Sequence, residues 1–272
     1  SYSYGWDTVQ TQIEGIKAGV DENTTIDYEF MDTKRFRTDE WLNMFHDMLK
    51  YHLENTDPYD VVIVGDDAAL QFAMEYREEL FPEIPVVFEG VNDEEYAMKA
   101  AENPLVTGII EKLSVEKNID MALKVNPTAD KVVAILDDSV TADAERKNFY
   151  SAEAEYPELE FSEINSSELT TAQLQQAISK VDDKTILIYI VMSKDGSGKQ
   201  YTSDQAVRMV VTYSKVPVYR MVEAGIGDGL LGGNVVSMYK SGEIAAQMAM
   251  DIANGTDSAE INVVKDSPCL LY

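Results

Sequence analysis

Cysteine and histidine are scarce in this chain of 272 residues, which contains one cysteine and two histidines. The single cysteine, Cys269, excludes an internal disulfide and any zinc site built from several cysteines. His46 and His52 share one amphipathic segment without the HExxH pattern of zinc proteases, and no histidine follows a predicted strand. The sequence therefore offers no Ser-His-Asp or Cys-His catalytic arrangement and predicts no metal centre.

Basic residues are also few, since 22 Lys and Arg stand against 49 Asp and Glu and leave a net charge of −27. Nucleic acids and anionic membrane surfaces are bound by clustered Lys and Arg, so neither is an expected partner. The sequence contains no run of about 18 apolar residues that could span a membrane. It begins at Ser1 without a signal peptide, which is typical of a chain from which a targeting or anchoring segment has been removed.

The composition is that of an ordinary soluble protein, with 45% hydrophobic and 26% charged residues. Its length suits one large α/β domain or two smaller ones. Short apolar runs bounded by turn residues alternate with amphipathic segments along the whole chain, which predicts parallel sheets flanked by helices. The predicted strands, which include 26–31, fall into two sets within 1–110 and 131–221. This division favours two lobes over one sheet.

The segment 59–93 shows the alternation most clearly. Its first apolar run, 61–64, stops at Gly65-Asp66-Asp67, and its second, 86–88, stops at Glu89 and the residues that follow. A helical segment lies between the two runs. Ligands of open α/β sheets bind beyond the carboxyl ends of the parallel strands. We therefore expect the polar residues at these strand ends to meet a small molecule, with further loops of this kind at 137–139, 192–196 and 222–225.

Two acidic pairs, Asp66-Asp67 and Asp137-Asp138, leave several roles open. They could act as general acid–base groups or metal ligands. Because an Asp at a helix start also accepts hydrogen bonds from the first backbone amides, we favour helix capping.

Two glycine-rich motifs are weak. The loop 194–199 (KDGSGK) lacks the complete phosphate-loop pattern, and the GxGxxG match at 227–232 lies too late in the chain for a dinucleotide fold. We interpret the first as a flexible loop and the second as a turn or hinge.

Four segments carry a resemblance to a known family: VVIVGDDAALQF (61–72), IPVVFEGVND (84–93), LVTGIIEKLSVEKNIDMALKVNPTADKVVAILDDS (105–139) and VPVYRMVEAGIGDGLLGGNVVSMYKSGEIAAQMAMDIANG (216–255). In their order and spacing the chain resembles ABC-transporter substrate-binding proteins of the type I periplasmic-binding fold, in the tryptophan/tyrosine-binding branch. Segments 1–16 and 28–42 look more like a subset of that family, the extracytoplasmic sensor regions of membrane histidine kinases and diguanylate cyclases. We therefore place a sensor role slightly ahead of a transporter role.

The resemblance implies an α/β fold of two lobes, each a parallel sheet flanked by helices, with the ligand cleft between them. Residues 1–112 and 237–258 would form the N-terminal lobe, and residues 113–236 and 259–272 the C-terminal lobe. The lobes would close on a ligand by a hinge motion, without catalysis and without a cofactor. The residues carried over as pocket lining are Ser3, Tyr4, Trp6, Gly65, Asp66, Asp67, Ala68, Glu89, Val91, Asn92, Asp138, Ser139, Met192, Ser193 and Glu223.

The resemblance also implies an extracytoplasmic protein, membrane-anchored at full length, whose partners are an ABC permease or membrane signalling domains. Its ligand would be an amino acid, an amine or another polar or aromatic solute. Relatives tend to have a Ser/Thr-rich loop where this chain has Asp66-Asp67, so the two acids favour a cationic, amine-bearing or hydroxyl-rich ligand. The competing hypothesis is a hydrolase that uses paired carboxylates or a bound divalent ion.

Overall fold

The structure, a computed structural model, describes residues 2–5, 7–33, 35–36 and 38–271. In chain order the helices are α1 (Asp7–Gly19), α2 (Asp39–Asn55), α3 (Asp67–Glu75), α4 (Arg77–Leu80), α5 (Glu94–Ala100), α6 (Val115–Val125), α7 (Val140–Ser151), α8 (Thr171–Ser179), α9 (Ser203–Tyr213) and α10 (Met238–Ala253). The strands are β1 (Val62–Gly65), β2 (Val86–Val91), β3 (Val106–Ile110), β4 (Lys131–Leu136), β5 (Glu160–Asn165), β6 (Thr185–Tyr189), β7 (Val218–Arg220), β8 (Asn234–Val236) and β9 (Cys269–Leu271). The alternation predicted from the sequence is thus present in the fold.

The chain divides into two compact units. The first unit comprises residues 1–112 and 238–268, and the second comprises residues 113–237 and 269–272. Residues 259–268, which the sequence analysis assigns to the C-terminal lobe, belong instead to the first unit. The reason is a short parallel pairing, in which Ile110 N–H donates to the Val264 carbonyl and Val264 N–H to the Gly108 carbonyl, each at 2.9 Å.

The first unit contains a three-stranded parallel sheet in the order β1-β2-β3. All six residues of β2 are buried, which explains its unbroken apolar run. Phe88 packs on one face of the sheet with Phe45 of α2 and Leu70 of α3. Val87 packs on the other face with residues of α10. The central strand is therefore covered on both sides by helices.

The predicted strand at 26–31 is wrong, because these residues carry no strand in the described part of the chain. Their acidic side chains instead bind side chains of the first unit: Asp27 accepts a hydrogen bond from Tyr59 Oη at 2.7 Å, and Glu29 contacts His52 Nδ1 at 2.7 Å. The alternating pattern here reflects side-chain contacts rather than a place in the sheet.

The second unit contains a four-stranded parallel sheet in the order β5-β4-β6-β7 and a small antiparallel pair, β8-β9. Strand β6 is buried along its whole length, and Leu187 and Tyr189 pack with Leu174 of α8 and Val210 of α9. Helices α8 and α9 begin with capping boxes at Thr170 and Thr202. In each, the threonine side chain accepts from the backbone amide of the glutamine three residues later, and the side chain of that glutamine accepts from the threonine amide.

Strand β9 is absent from the sequence prediction. In the structure Cys269 pairs with Val236 of β8 and is half-buried. No helix among the described residues is long and apolar enough to cross a membrane.

Candidate functional site

The carboxyl end of β1 makes an abrupt turn at Asp66. This residue has φ 79°, a backbone conformation that side-chain-bearing residues rarely adopt. Its amide donates to the Glu89 carbonyl at 2.9 Å, and its own carbonyl accepts from Ala69 and Leu70, which hold the bend in place. Such strain costs about 1–3 kcal/mol and concentrates at ligand-binding sites. The backbone therefore marks Asp66 as a candidate functional residue.

Asp67 ties the loop after β1 to the loop after β2. Its Oδ1 accepts hydrogen bonds from the amides of Asn92 at 3.1 Å and Asp93 at 3.0 Å. Burial raises the pKa of Asp67 to about 6, although the amide of Asp93 lowers it in part. The side chain of Asp66 does not cap α3. The predicted capping role is therefore wrong for Asp66 at the start of α3. Asp67 instead binds the loop after β2.

Glu89 lies in the carboxyl-terminal half of β2, directly opposite Gly65, the last residue of β1. It is 2% exposed, and its Oε2 accepts a hydrogen bond from Gln12 Nε2 at 3.0 Å. Burial, with a smaller contribution from the nearby charge of Asp66, raises the pKa of Glu89 to about 8. Glu89 is thus mostly protonated at neutral pH, and it can donate as well as accept a hydrogen bond.

Two glycines leave space around Glu89. A Cβ at Gly65 would lie 3.0 Å from Glu89 Oε1, and a Cβ at Gly90 would lie 2.7 Å from Gln12 Nε2. Gly90 has φ 65° and lies in a β-bulge, where two residues of β2 face one of β3. The bulge and the missing side chains let Glu89 and Gln12 meet.

Gln12 reaches Glu89 because α1 packs very closely on α10. A Cβ at Gly15 would lie 2.0 Å from the Tyr239 carbonyl oxygen, and a Cβ at Gly242 would lie 2.3 Å from that of Gln12. The two helix backbones therefore touch without intervening side chains. This contact fixes the position from which Gln12 donates.

The second unit has a buried acid at the equivalent place, the carboxyl end of β4. Asp137 is fully buried and accepts from the amide of Ser139 at 2.9 Å and from the amide and hydroxyl of Ser193 at 2.8 and 2.5 Å. Burial alone would raise the pKa of Asp137, but these hydrogen bonds outweigh it and hold the pKa below its usual value. Asp137 thus stays ionised and joins two loops.

Asp138, the neighbour of Asp137, is exposed and belongs to a polar network. Its Oδ1 accepts from Asn165 Nδ2 at 2.8 Å and pairs with Arg146 Nη2 at 3.3 Å. The side chain that caps α7 is Ser139, which accepts from Ala142 N–H at 3.2 Å. The capping role proposed for the acids is therefore carried by the serine that follows them.

Arg220, on β7, is a buried charged residue that the sequence analysis overlooks. It donates through Nη1 to the Tyr189 carbonyl at 3.0 Å and through Nε to the Ala224 carbonyl at 3.2 Å. Its guanidinium lies 4.4 Å from the centre of the Tyr189 ring. A charged residue inside the apolar run VPVYRM is the signal that could have identified it. Gln12 carries no comparable signal, because one glutamine on an amphipathic helix is unremarkable in sequence.

The predicted lining residues fall into several groups. The structure brings Gly65, Asp66, Asp67, Glu89 and Asn92 together at the sheet edge of the first unit, with Ala68 half-buried beside them on α3. In the second unit Asp138, Ser139 and Ser193 surround Asp137, and Glu223, in the loop after β7, lies 3.5 Å from the Ser237 hydroxyl.

Five further predicted residues are placed differently or not described. Val91 and Met192 are buried in the cores of the first and second units, which corrects their assignment as lining. Tyr4 is 57% exposed and its ring meets that of Phe30 edge-on, while Ser3 beside it is half-buried. Trp6 lies outside the described residues.

The loop 194–199 is held by hydrogen bonds within itself and by others to residues 166–171, among them Gly196 N–H to the Leu169 carbonyl at 2.8 Å. Asp195 is buried and accepts hydrogen bonds from the amides of Ser197 and Lys199 and from the hydroxyl of Tyr201. Burial would raise the pKa of Asp195, but hydrogen bonds, that of Ser197 first, hold it well below the usual range. Among the described residues, no group of three or more His, Cys, Asp or Glu side chains is arranged to hold a metal ion.

A sequence model of the family described as ABC transporter substrate binding protein matches residues 7–270. No curated protein sequence matches the chain significantly. Among solved structures, the chain is similar to an ABC domain in complex with L-Trp from Streptococcus pneumonia. The two are 18% identical, with a TM-score of 0.68 over 97% of this chain and 88% of that chain.

Two further solved structures are similar. One is the ligand-free, open structure of a substrate-binding protein with adhesive properties from Clostridium difficile, with 17% identity, a TM-score of 0.67, and 97% and 87% of the two chains covered. The other is an amino acid ABC transporter substrate-binding protein from Pseudomonas fluorescens, with 12% identity, a TM-score of 0.65, and 95% and 78% covered. At these identities the similarity shows the fold, and it confirms the predicted periplasmic-binding-protein-like architecture.

Proposed function

This chain belongs to the family of ABC transporter substrate-binding proteins, and we propose that its substrate is a small solute with an amine or several hydroxyl groups. The predicted substrate-binding role in transport is confirmed by the family match. The sensor role, which the sequence analysis places slightly ahead, and the hydrolase alternative find no support in the comparisons. Proteins of this family work outside the cytoplasm.

The observation that carries the proposed substrate class is the pair of acids at the sheet edge of the first unit. Asp66 sits on a strained backbone, and Glu89 is buried within its electrostatic reach. A cationic group placed beside them would favour the ionised form of Glu89, because an opposite charge at close range lowers the pKa of an acid. An ammonium or hydroxyl group can also donate hydrogen bonds to both carboxyl groups.

Polar residues at the strand ends of the second unit are further candidates for binding polar groups of a solute. Asp138 is exposed, and Glu223 lies in a loop that follows a strand, so both can orient polar groups of a ligand. The hydroxyl of Ser193 already donates to Asp137, which leaves its oxygen lone pairs as acceptors for a ligand. In the first unit, Tyr4 would supply an aromatic surface for stacking.

Hinge closure remains part of the proposal. A ligand can favour a closed state only through a difference in its affinity for the two states. Small-angle X-ray scattering of the ligand-free and ligand-saturated protein tests this point, because closure lowers the radius of gyration and a ligand bound without closure leaves it unchanged.

The substrate class is tested by a thermal-shift screen followed by titration calorimetry, using polyamines, amino acids, nucleosides and sugars at pH 8. A ligand at 100 times its Kd stabilises the folded state by about 2.7 kcal/mol, which gives a clear rise in melting temperature. We expect amine-bearing compounds to bind. We also expect Glu89→Gln to lower the affinity for these compounds by about tenfold or more, since a charge-assisted hydrogen bond becomes a neutral one.

Glu95→Gln is the matched control, because it removes an exposed acid from the same unit. It should leave affinity unchanged. A ligand that is anionic, or one that binds wild type and Glu89→Gln equally, would contradict the proposed substrate class. If no compound of the library raises the melting temperature, that result would count against ligand binding at Asp66 and Glu89.

Anchoring and delivery complete the proposal. We infer that the full-length protein is held at the outer membrane face and delivers its solute to an ABC permease. The full-length gene tests this inference. A lipobox cysteine upstream and a neighbouring permease gene would support it, whereas a membrane helix joined to kinase or cyclase domains would overturn it.

A further inference from the structure

Helix α2 has two apolar faces instead of the usual one. On its inner face Leu42, Phe45 and Leu49 pack against the core of the first unit. On its outer face Met44, Met48 and Tyr51 are 59%, 38% and 65% exposed. Amphipathic surface helices normally bury a single apolar stripe and present polar residues to solvent. The outer face is therefore surplus to the needs of the fold.

The outer residues follow a heptad pattern. Trp41, Met44, Met48 and Tyr51 occupy successive a and d positions, the spacing that forms the contact line between two packed helices. Trp41 is half-buried and the other three are exposed, so the line lies open along most of α2. Methionine side chains are flexible and polarisable, and they are frequent on surfaces that bind partner helices.

A row of acids runs beside this contact line. Glu40, Asp47 and Glu54 recur at every seventh residue and occupy the g positions of the same heptad. All three are exposed. Two nearby basic groups are engaged elsewhere, since Lys50 pairs with Glu79 at 2.5 Å and His52 with Glu29 at 2.7 Å, while His46 Nδ1 lies 3.0 Å from Asp47 Oδ1 of the row itself. The row is therefore a line of negative charge along one side of the apolar stripe.

We propose that the outer face of α2 docks a helix of another protein whose apolar a and d residues are flanked by Lys and Arg. Charges at the flanking positions select the partner of a helix pair, so an acidic row selects a basic one. A second copy of this chain is disfavoured, because each copy carries a net charge of −27. An anionic membrane surface is disfavoured for the same reason.

The probe is a fluorescent synthetic helix of about three heptads with Leu at a and d and Lys at e and g. Two companion peptides separate the contributions: one replaces every Lys with Glu, and the other keeps Lys but places Ser at a and d. Fluorescence anisotropy of the full chain at near-physiological salt gives the affinities. We expect the basic apolar peptide to bind at least about tenfold more tightly than either companion.

Two protein variants locate the binding. The triple change Met44→Ser, Met48→Ser and Tyr51→Ser removes the contact line, and Glu40→Lys, Asp47→Lys and Glu54→Lys reverses the acidic row. Each should weaken peptide binding by about tenfold or more and leave the protein folded, because all the replaced side chains are exposed; circular dichroism checks the fold, since Glu40 lies in the first turn of α2 and its reversal lowers the melting temperature slightly. The control for charge is Glu158→Lys, Asp183→Lys and Asp204→Lys in the second unit, which makes the same net change at exposed sites.

Several results would overturn the proposal. Equal binding of the Ser-substituted basic peptide would mean attraction by net charge alone. Equal loss in the charge control would carry the same meaning. Undiminished binding to the serine triple variant would place the contact elsewhere. Light scattering that shows a wild-type dimer lost in the serine variant would make the occupant a second copy, and flotation with anionic vesicles would make it a membrane.

Discussion

Glu89 in the first unit and Asp137 in the second are two buried acids in equivalent places with opposite behaviour. Glu89 lies in the carboxyl-terminal half of β2 and Asp137 directly after β4, and the two are 2% and 0% exposed. Burial raises the pKa of Glu89 to about 8, whereas hydrogen bonds from Ser139 and Ser193 hold the pKa of Asp137 below its usual value. The difference shows that burial alone does not set the ionisation of an acid.

The number of donors separates the two acids. Asp137 receives two backbone amides and a hydroxyl, which stabilise its charged form. Glu89 receives the side-chain amide of Gln12, and its acidic neighbour Asp66 opposes its ionisation. We interpret Asp137 as a structural group of the second unit and Glu89 as a group that responds to a ligand.

The largest effect is expected for Asp137→Ala. The change leaves two amides and a hydroxyl without their acceptor inside the protein, and we expect a loss of about 4 kcal/mol in the free energy of unfolding at pH 7. Urea denaturation measures it. Because the folded-state pKa of Asp137 is depressed, the charge-dependent part of the wild-type contribution is present at neutral pH and is lost as the pH falls, so the stability difference between the two proteins should narrow in acid.

Asp138→Asn is the control for Asp137→Ala. This acid is exposed, and its pairing with Arg146 should contribute less than about 1 kcal/mol. A variant of Asp137 no less stable than this control would show that the hydrogen bonds around Asp137 do not hold the second unit together.

Glu89→Gln should increase the free energy of unfolding, whereas Asp137→Ala should decrease it. The folded protein binds a proton at Glu89 between about pH 4.5 and pH 8, where an unfolded glutamate does not, so wild-type stability falls as the pH rises through this range. Glutamine mimics the protonated acid at every pH. We expect the ligand-free variant to be more stable by roughly 3 kcal/mol at pH 7 and equal to wild type near pH 4.5. Thermal unfolding across this range would refute the pKa of Glu89 if the two profiles stay parallel.

Gly15→Ala tests the contact between α1 and α10 that positions Gln12 beside Glu89. A Cβ there would lie 2.0 Å from the Tyr239 carbonyl oxygen, so α1 must move away from α10 and carry Gln12 with it. We expect a loss of about 2 kcal/mol in stability and weaker ligand binding. Gly5→Ala, where a Cβ meets nothing within 4 Å, is the neutral control. Equal melting temperatures for the two variants would show that the helix contact tolerates a side chain.

Ser139→Ala should have the smallest effect. It removes the side chain that caps α7 and that helps to lower the pKa of Asp137, but it keeps the amide that donates to Asp137. A loss of about 1 kcal/mol is typical of an N-cap. Urea denaturation beside Asp137→Ala separates the cap from the buried acid. A loss as large as that of Asp137→Ala would mean that the serine, rather than the acid, organises this edge.

Much of the fold can be predicted from local sequence patterns. The predictions that are wrong also have local causes. The alternation of apolar runs and amphipathic segments predicts both parallel sheets. The pattern at 26–31 misleads because alternation also arises from side chains that bind Tyr59 and His52. Val91 is misplaced because a bulge at Gly90 extends β2 beyond the end of its apolar run and turns Val91 into the core.

The sequence by itself determines that polar residues follow buried parallel strands in two sets, and it carries the resemblance that identifies the family. Tertiary structure alone decides which of those residues are charged. Gln12 reaches Glu89 across 77 positions of sequence, and Ser193 reaches Asp137 across 56. Ionisation depends on the donors that folding places within about 3 Å, and no local pattern encodes that distance.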